Sequence, residues 1–280
     1  MAEVARLDLQ DRVAFITGAG RGQGRSHAVT LAEAGAAIVA VDVCAPIPTV
    51  PYALATEEDL AETVRLVEKA GGRCLARVAD VRHRHELVAA VDEAMATFGR
   101  LDVVVANAGV AQGLPEAETA TIDEIWADYL AINLTGTWNT LQATRSAIVD
   151  GGRGGSIIII SSTSGLKGMS RGDVRSDAYT TTKHGLVGLM RAYANDLGPA
   201  GVRVNTVHPT AVATPMVDNP AMKAWVEVNV KRVAGGFSDA MHRGRVDAQD
   251  ISDAVLWLAS DRSRSVTGVT LPVDAGFVIA

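Results

Sequence analysis

Short apolar runs of strand length recur along the chain, each separated from the next by a stretch of helical period. The runs fall at residues 12–17, 37–42, 74–80, 101–106, 156–161, 202–208 and 268–273. They are rich in Val and Ile without strict alternation, the pattern of strands covered on both faces. Amphipathic stretches at 24–34, 57–70, 84–98, 122–149, 178–197 and 248–259 lie between them. Gly35, Gly71, Gly72, Gly99 and Gly198 follow helix ends, where a left-handed cap favours glycine. Strand and helix thus alternate throughout, which predicts an α/β fold: one doubly wound domain over residues 1–280, about seven parallel strands with helices on both faces.

Two segments break the rhythm. Residues 44–56 follow the second strand and contain Pro46, Pro48 and Pro51. Residues 209–244 are long and include Met216, Met222, Trp225 and Phe237. Irregular stretches of this length inside a compact domain are typically lids or binding loops; ordinary packing of a helical insertion is the alternative for 209–244. Composition narrows the classes further. Apolar residues make up 48% of the chain, charged residues 21%, and net charge is −6. An acidic balance argues against a nucleic-acid surface, and runs such as 157–160 are too short to span a bilayer. The N-terminal residues lack the apolar core of a secretory signal. Cys44 and Cys74 form no disulfide framework and have no partner at metal-finger spacing, so no metal and a reducing cytoplasm are expected.

The first chemistry-bearing stretch is Thr17-Gly-Ala-Gly-Arg-Gly-Gln-Gly24. It follows a strand, opens a helix, and has Asp42 at the end of the next strand, the context in which a glycine cluster reads as a dinucleotide site. Gly18, Gly22 and Gly24 let the backbone approach a pyrophosphate, with Arg21 and Gln23 beside it, and the helix N-terminus offers free amides. Asp42, followed by Val43, would take both hydroxyls of the adenosine ribose and repel a 2′-phosphate, so NAD is favoured over NADP; Arg21 is the opposing feature. Asp80 and Val81, and Asn107, Ala108 and Gly109, also fall at carboxyl ends of strands, the ligand-binding edge of such sheets.

Tyr179 and Lys183 stand four apart, on one helix face. A neighbouring cation favours phenolate, which would bring Tyr179 toward the range of a general acid/base. Together with the glycine spacing and Asn107-Ala-Gly109, this pair resembles the short-chain dehydrogenase/reductase family, and the likeness runs over nearly the whole chain, through 252–260 and 267–276.

The resemblance implies a Rossmann fold, NAD as cofactor, and a set of roles. Ser162 holds the reacting oxygen, with Ser161 as its neighbour and an exchange of the two left open. Tyr179 transfers the proton, Lys183 also binds the nicotinamide ribose, and Asn133 anchors a water for proton relay. Pro209, Thr210, Val212 and Thr214 match positions that hold the nicotinamide amide and pyrophosphate, although Thr210 stands where the family usually has glycine. The interval from Ser162 to Tyr179 is longer than usual, with 170–177 expected as a surface loop.

Residues 17–28, 41–46 and 165–168 narrow the likeness to the mycofactocin-coupled, carveol dehydrogenase-like subgroup. That implies an NAD recycled in place by a separate redox partner, the insertion 44–56 covering its adenosine half. The expected reaction interconverts a neutral, mostly apolar secondary alcohol and its ketone, with Val110, Leu166, Met169, Met216, Met222 and Trp225 as walls beside Ser162. Freely exchanging NAD with a steroid or 3-oxoacyl substrate is one alternative; a non-catalytic dinucleotide sensor, which would need only the glycine loop and Asp42, is the other. A homotetramer is implied through 122–149, 178–197 and the tail 276–280.

Overall fold

The fold is taken from a computed structural model that describes residues 8–115, 119–169, 172–233 and 238–280; the side chains of 229–233 lie outside that description. Seven strands form one parallel sheet in the order β3-β2-β1-β4-β5-β6-β7. They are β1 (Val13–Thr17), β2 (Ala37–Asp42), β3 (Cys74–Val78), β4 (Val103–Ala106), β5 (Gly155–Ile160), β6 (Val202–Pro209) and β7 (Thr270–Val273). The helices that cross between them are α1 (Gly22–Glu33), α2 (Glu57–Lys69), α3 (Arg84–Phe98), α4 (Ile122–Tyr129), α5 (Gly136–Asp150), α6 (Val174–Leu197), α7 (Pro220–Val233) and α8 (Ala248–Ala259).

Successive strand residues point to opposite faces, and both faces are covered. Phe15, Val39, Val104, Ile157 and Ile159 pack with α3–α6, while Ala14, Ile16, Ile38, Val105 and Ile158 pack with α1, α2 and α8. This double burial is why the runs do not alternate. The exceptions are the edge strands: β3, where Val78 is 53% exposed, and β7, where Pro272 is exposed. Strand order reverses between β1 and β4, and a crevice opens there at the carboxyl ends of the strands.

The structure departs from the sequence-based elements in places that bear on the site. The helix expected over 122–149 is interrupted by a π-helical turn at Leu130–Thr135, which contains Asn133. Such turns concentrate at functional positions. Helix α6 begins at Val174 because Asp173 caps it: its Oδ1 accepts from Ser176 N at 2.9 Å and its Oδ2 from Ser176 Oγ at 2.7 Å. Tyr179 therefore sits in the second turn rather than at the helix start. The end of the expected 170–177 loop is helix with Arg175 and Ser176 buried; Ser170 and Arg171 lie outside the described residues. Within 209–244, α7 accords with the helical insertion held open beside the loop reading, and Phe237 lies outside the described residues.

Candidate active site

The glycine loop joins β1 to α1 and is packed so closely that side chains are excluded. Gly18 has φ +66°, and a Cβ there would lie 2.8 Å from Ala108 Cα; at Gly24 it would lie 2.0 Å from Gly18 O. Asn107 Nδ2 braces the loop by donating to the carbonyls of Thr17 (2.9 Å) and Gly18 (3.1 Å). No side chain caps α1 and its first turn holds no acidic residue, so its amides and partial positive charge remain available to an anion. At the end of β2, Asp42 Oδ2 accepts from Gly20 N at 2.8 Å. Burial raises the Asp42 carboxyl above its ordinary value, against the backbone amides of Gly20, Cys44 and Val43 and the nearby Arg21.

The cleft beside this loop encloses about 1070 Å³ of empty space, mouth included. Gly18, Arg21, Gly22, Gln23, Gly24, Asp42 and Val43 border it at one end. Asp80, Val81, Asn107, Ala108, Gly109 and Val110 also border it, with Tyr179, Lys183 and Met216, while Thr214 lies against Gly22 of the glycine loop. A glycine cradle, an uncapped helix end and a carboxylate one strand away fit an adenine dinucleotide. Gln23 adds a buried Oε1 without a partner inside the cradle.

Asp80 borders the cleft but its carboxylate is engaged by Arg82, through Nε (2.9 Å), Nη2 (2.7 Å) and the backbone N (2.9 Å). Burial acts to raise that carboxyl, and the Arg82 fork outweighs it, so the group titrates below its ordinary value.

Three residues expected at the cofactor do not border this space directly. Pro209 ends β6, paired with Val273, and Thr210 follows it. Val212 is 3% exposed, bridged to Val246 while Ala213 N donates to Val246 O at 3.0 Å. The chain after β6 is thus drawn down to residue 246 before it rises to the cleft at Thr214 and Pro215.

At the far end, Ser162, Tyr179 and Lys183 converge. The Ser162 side chain acts on the Tyr179 phenol, lowering its value against burial, while Ser161 donates from Oγ to Lys183 O at 3.0 Å. Ser161 borders the cleft, yet its hydroxyl is already committed, so the geometry selects Ser162 as the phenol's partner. Lys183 Nζ donates to Ile160 O at 3.0 Å and lies 5.5 Å from the centre of the Tyr179 ring. Burial lowers the Lys183 ammonium to about 8. Burial also raises the Tyr179 phenol, opposed by the Ser162 bond. This reverses the direction expected from the spacing, because sequestering a phenolate from water is the larger effect and Nζ is held over the ring.

Asn133, on the π-helical turn, directs its amide chiefly at one neighbour, and Nδ2 also reaches Thr182 Oγ1 at 3.5 Å. Oδ1 accepts from Val110 N at 2.8 Å and Nδ2 donates to Val110 O at 3.0 Å. It fixes the loop after β4. His208, fully buried, contacts Ser162 O through Nδ1 at 2.7 Å and Thr206 Oγ1 through Nε2 at 2.8 Å. Nδ1–H must donate, since a carbonyl only accepts.

Several site residues were not legible in the sequence. Ile47, Tyr52, Leu54 and Ala55 from the 44–56 segment border the cleft, as do Ile132 and Pro215. Tyr52 accepts from Ala111 N at 2.7 Å through its hydroxyl, crossing from the β2 lip to the β4 lip. Thr49 donates to Asp128 Oδ2 at 2.7 Å, its carbonyl accepts from Arg175 at 3.2 Å, and Arg21 donates to Ala53 O. Among the expected substrate walls, Val110 and Met216 border the cleft, and Met169 and Trp225 border a smaller recess behind Tyr179. Leu166 packs on the core, and Met222 is buried in α7, bordering neither space.

Among the described residues, no helix is long and apolar enough to cross a membrane, and no cluster of His, Cys, Asp and Glu could hold a metal.

This geometry has close counterparts. A family model described as enoyl-(acyl carrier protein) reductase matches residues 18–278. A (-)-trans-carveol dehydrogenase of Rhodococcus erythropolis is 42% identical over 275 residues, 96% of this chain and 98% of that protein. An uncharacterized NAD-dependent oxidoreductase of Mycobacterium tuberculosis is 46% identical over 273 residues, 96% of each chain. The crystal structure of a carveol dehydrogenase from Mycobacterium avium in complex with NAD superposes with a TM-score of 0.90 at 44% identity, covering 98% of this chain and 99% of that one. The matched span includes the glycine loop, Ser162, Tyr179 and Lys183, and the chain belongs to the short-chain dehydrogenase/reductase family.

Proposed function

We propose that the protein is an NAD-dependent dehydrogenase that interconverts a neutral secondary alcohol and its ketone. The observation that carries this reading is the convergence of Ser162, Tyr179 and Lys183 at one end of a cleft whose other end is the glycine loop and Asp42. When bound, NAD supplies the hydride acceptor. Gly18, Gly22, Gly24 and the amides of α1 hold its pyrophosphate, and Asp42 accepts from its adenosine ribose. Arg21 is tied to the Ala53 carbonyl, which leaves Asp42 to set the preference for NAD.

Tyr179 takes the carbinol proton during oxidation and returns it during reduction. Its phenol must become phenolate against the cost of burial, and two groups oppose that cost. Ser162 hydrogen-bonds it and orients the substrate oxygen. With its value near 8, Lys183 still holds about nine-tenths of its ammonium form at pH 7, so its charge is present beside the ring. Asn133 keeps Val110 and the floor of the site in place and supports proton relay.

The chain is read as one domain with a strap, 44–56, laid over the cleft, and a lid region, 209–244. The strap's bonds to Ala111, Asp128 and Arg175 support an NAD that is retained and recycled by a separate redox partner of the mycofactocin type. They also weigh against freely exchanging NAD. A sensor would need no serine on the phenol. The free thiols Cys44 and Cys74 fit a cytoplasmic location, and the outer faces of α4 and α5, where Trp126 and Trp138 are each 38% exposed, fit a homotetramer.

Tyr179→Phe is the direct test. It should still bind NAD and lose turnover by several orders of magnitude; a variant that keeps most of its activity overturns the mechanism.

A further inference from the structure

Tyr179 borders two spaces. One is the cleft already described; the other is a recess of about 200 Å³ of empty space, mouth included, lined by Gln112, Ser164, Met169, Ser176, Thr180 and Trp225 together with the tyrosine. Tyr179 is common to both, which puts this recess within reach of a substrate held at its phenol. Met169 and Trp225 give it apolar walls, but the other side chains are polar.

Two of those polar groups are underused. Gln112 Oε1 is buried and has no hydrogen-bond partner. Ser164, 5% exposed, has its hydroxyl directed at Met169 Sδ at 3.5 Å, a weak acceptor. Leaving a buried polar atom unmatched is costly, and such atoms call for a physical explanation. Ser176 is already committed, its Oγ donating to Asp173 Oδ2 at 2.7 Å. The Asp173 carboxylate behind it disfavours an anionic ligand group. Because a half-turn of the Gln112 amide exchanges its acceptor for a donor, the fitting group is one that both donates and accepts.

We propose that the substrate carries a second hydroxyl, remote from the reacting carbinol, that seats in this recess on Gln112 and Ser164. The substrate class is then a neutral, compact diol, oxidised at one carbinol to a hydroxyketone, rather than a simple hydrocarbon alcohol. The inference rests on the dehydrogenase reading above.

The test compares 1,3- and 1,4-cyclohexanediols with 3- and 4-methylcyclohexanols, which replace one hydroxyl by a methyl group of similar size. Turnover is followed with NAD and an artificial electron acceptor, and binding to the NAD-loaded protein by saturation-transfer NMR. At least one diol should exceed its methyl counterpart in kcat/KM by about 10–100-fold, the worth of one buried hydrogen bond. Gln112→Leu should lower that ratio at least tenfold, with Ser164→Ala as the second variant should Gln112→Leu fail to fold. Methyl compounds turned over as well as every diol, or a ratio indifferent to both substitutions, overturn the inference while leaving the dehydrogenase reading intact. If no alcohol is turned over, the dehydrogenase reading fails; diol binding weakened by Gln112→Leu would still support the recess, and equal binding would overturn it.

Discussion

Asp42 has two separable duties, and substituting it in two ways tells them apart. Its Oδ2 holds the glycine loop by accepting from Gly20 N at 2.8 Å, and its charge is assigned to the adenosine ribose. Asp42→Asn keeps an acceptor for Gly20 and removes the charge; Asp42→Ala removes both. Stranding the Gly20 amide costs about 1–3 kcal/mol. That lowers the melting temperature of Asp42→Ala by about 2–10 °C at this size, while Asp42→Asn stays within about 3 °C. Burial already raises the Asp42 carboxyl, so losing the charge removes a desolvation cost and supports the milder outcome. In binding, two charge-assisted bonds become neutral ones, a loss of about 1–1.5 kcal/mol each, or about 30–150-fold in affinity for NADH. Removing the carboxylate should also narrow the preference for NADH over NADPH at least tenfold. Fluorescence titration with both nucleotides, alongside thermal melts, reads all of these. Unchanged NADH affinity and an unchanged preference in Asp42→Asn would refute the assignment of Asp42 to the ribose.

Three further outcomes are expected. Gly24→Ala places a Cβ 2.0 Å from Gly18 O; the loop must shift, and NAD binding measured by calorimetry should be lost together with about 1–3 kcal/mol of stability. Tyr52→Phe removes the bond to Ala111 N, so NAD should leave faster in a chase with excess unlabelled nucleotide, and shortening 44–56 should accelerate release further; equal rates in both variants would remove the strap's role. His27 is fully buried, with Nδ1 on Ser252 Oγ at 2.8 Å, and burial lowers it to about 3. Below its ordinary 6.5 the unfolded chain binds the proton first, so stability is full above that pH and falls as pH drops toward 3, by about 2 kcal/mol at pH 5. In denaturant melts, the loss of unfolding free energy between pH 7 and pH 5 should be larger in the protein than in His27→Gln by that amount.

The sheet was legible because its inner strands bury both faces and so write themselves as apolar runs. β2 and α3 fall where periodicity places them. The glycine loop, Asp42 and the Tyr179–Lys183 pair were legible because each demands a residue type at a fixed spacing. What escaped was set by contacts distant in sequence. Nothing in Tyr52's neighbours says that its hydroxyl meets Ala111, nor in Val212's that it bridges to Val246. The start of α6 was misplaced because Arg175 looks like a surface charge, yet it is buried with the Thr49 carbonyl. The direction of the Tyr179 shift was misjudged because spacing reports a nearby cation and says nothing of desolvation.

The central claim is that hydride passes from a carbinol carbon to an NAD held in this cleft. The most direct measurement is to incubate the purified protein with cyclohexanediol deuterated at its carbinol carbons, denature it, and weigh the released nucleotide by mass spectrometry. A reduced dinucleotide one mass unit heavier than NADH is expected from the unaltered protein and none from Tyr179→Phe. Unlabelled or unreduced nucleotide across the whole panel of deuterated alcohols, or equal labelling in Tyr179→Phe, would contradict it.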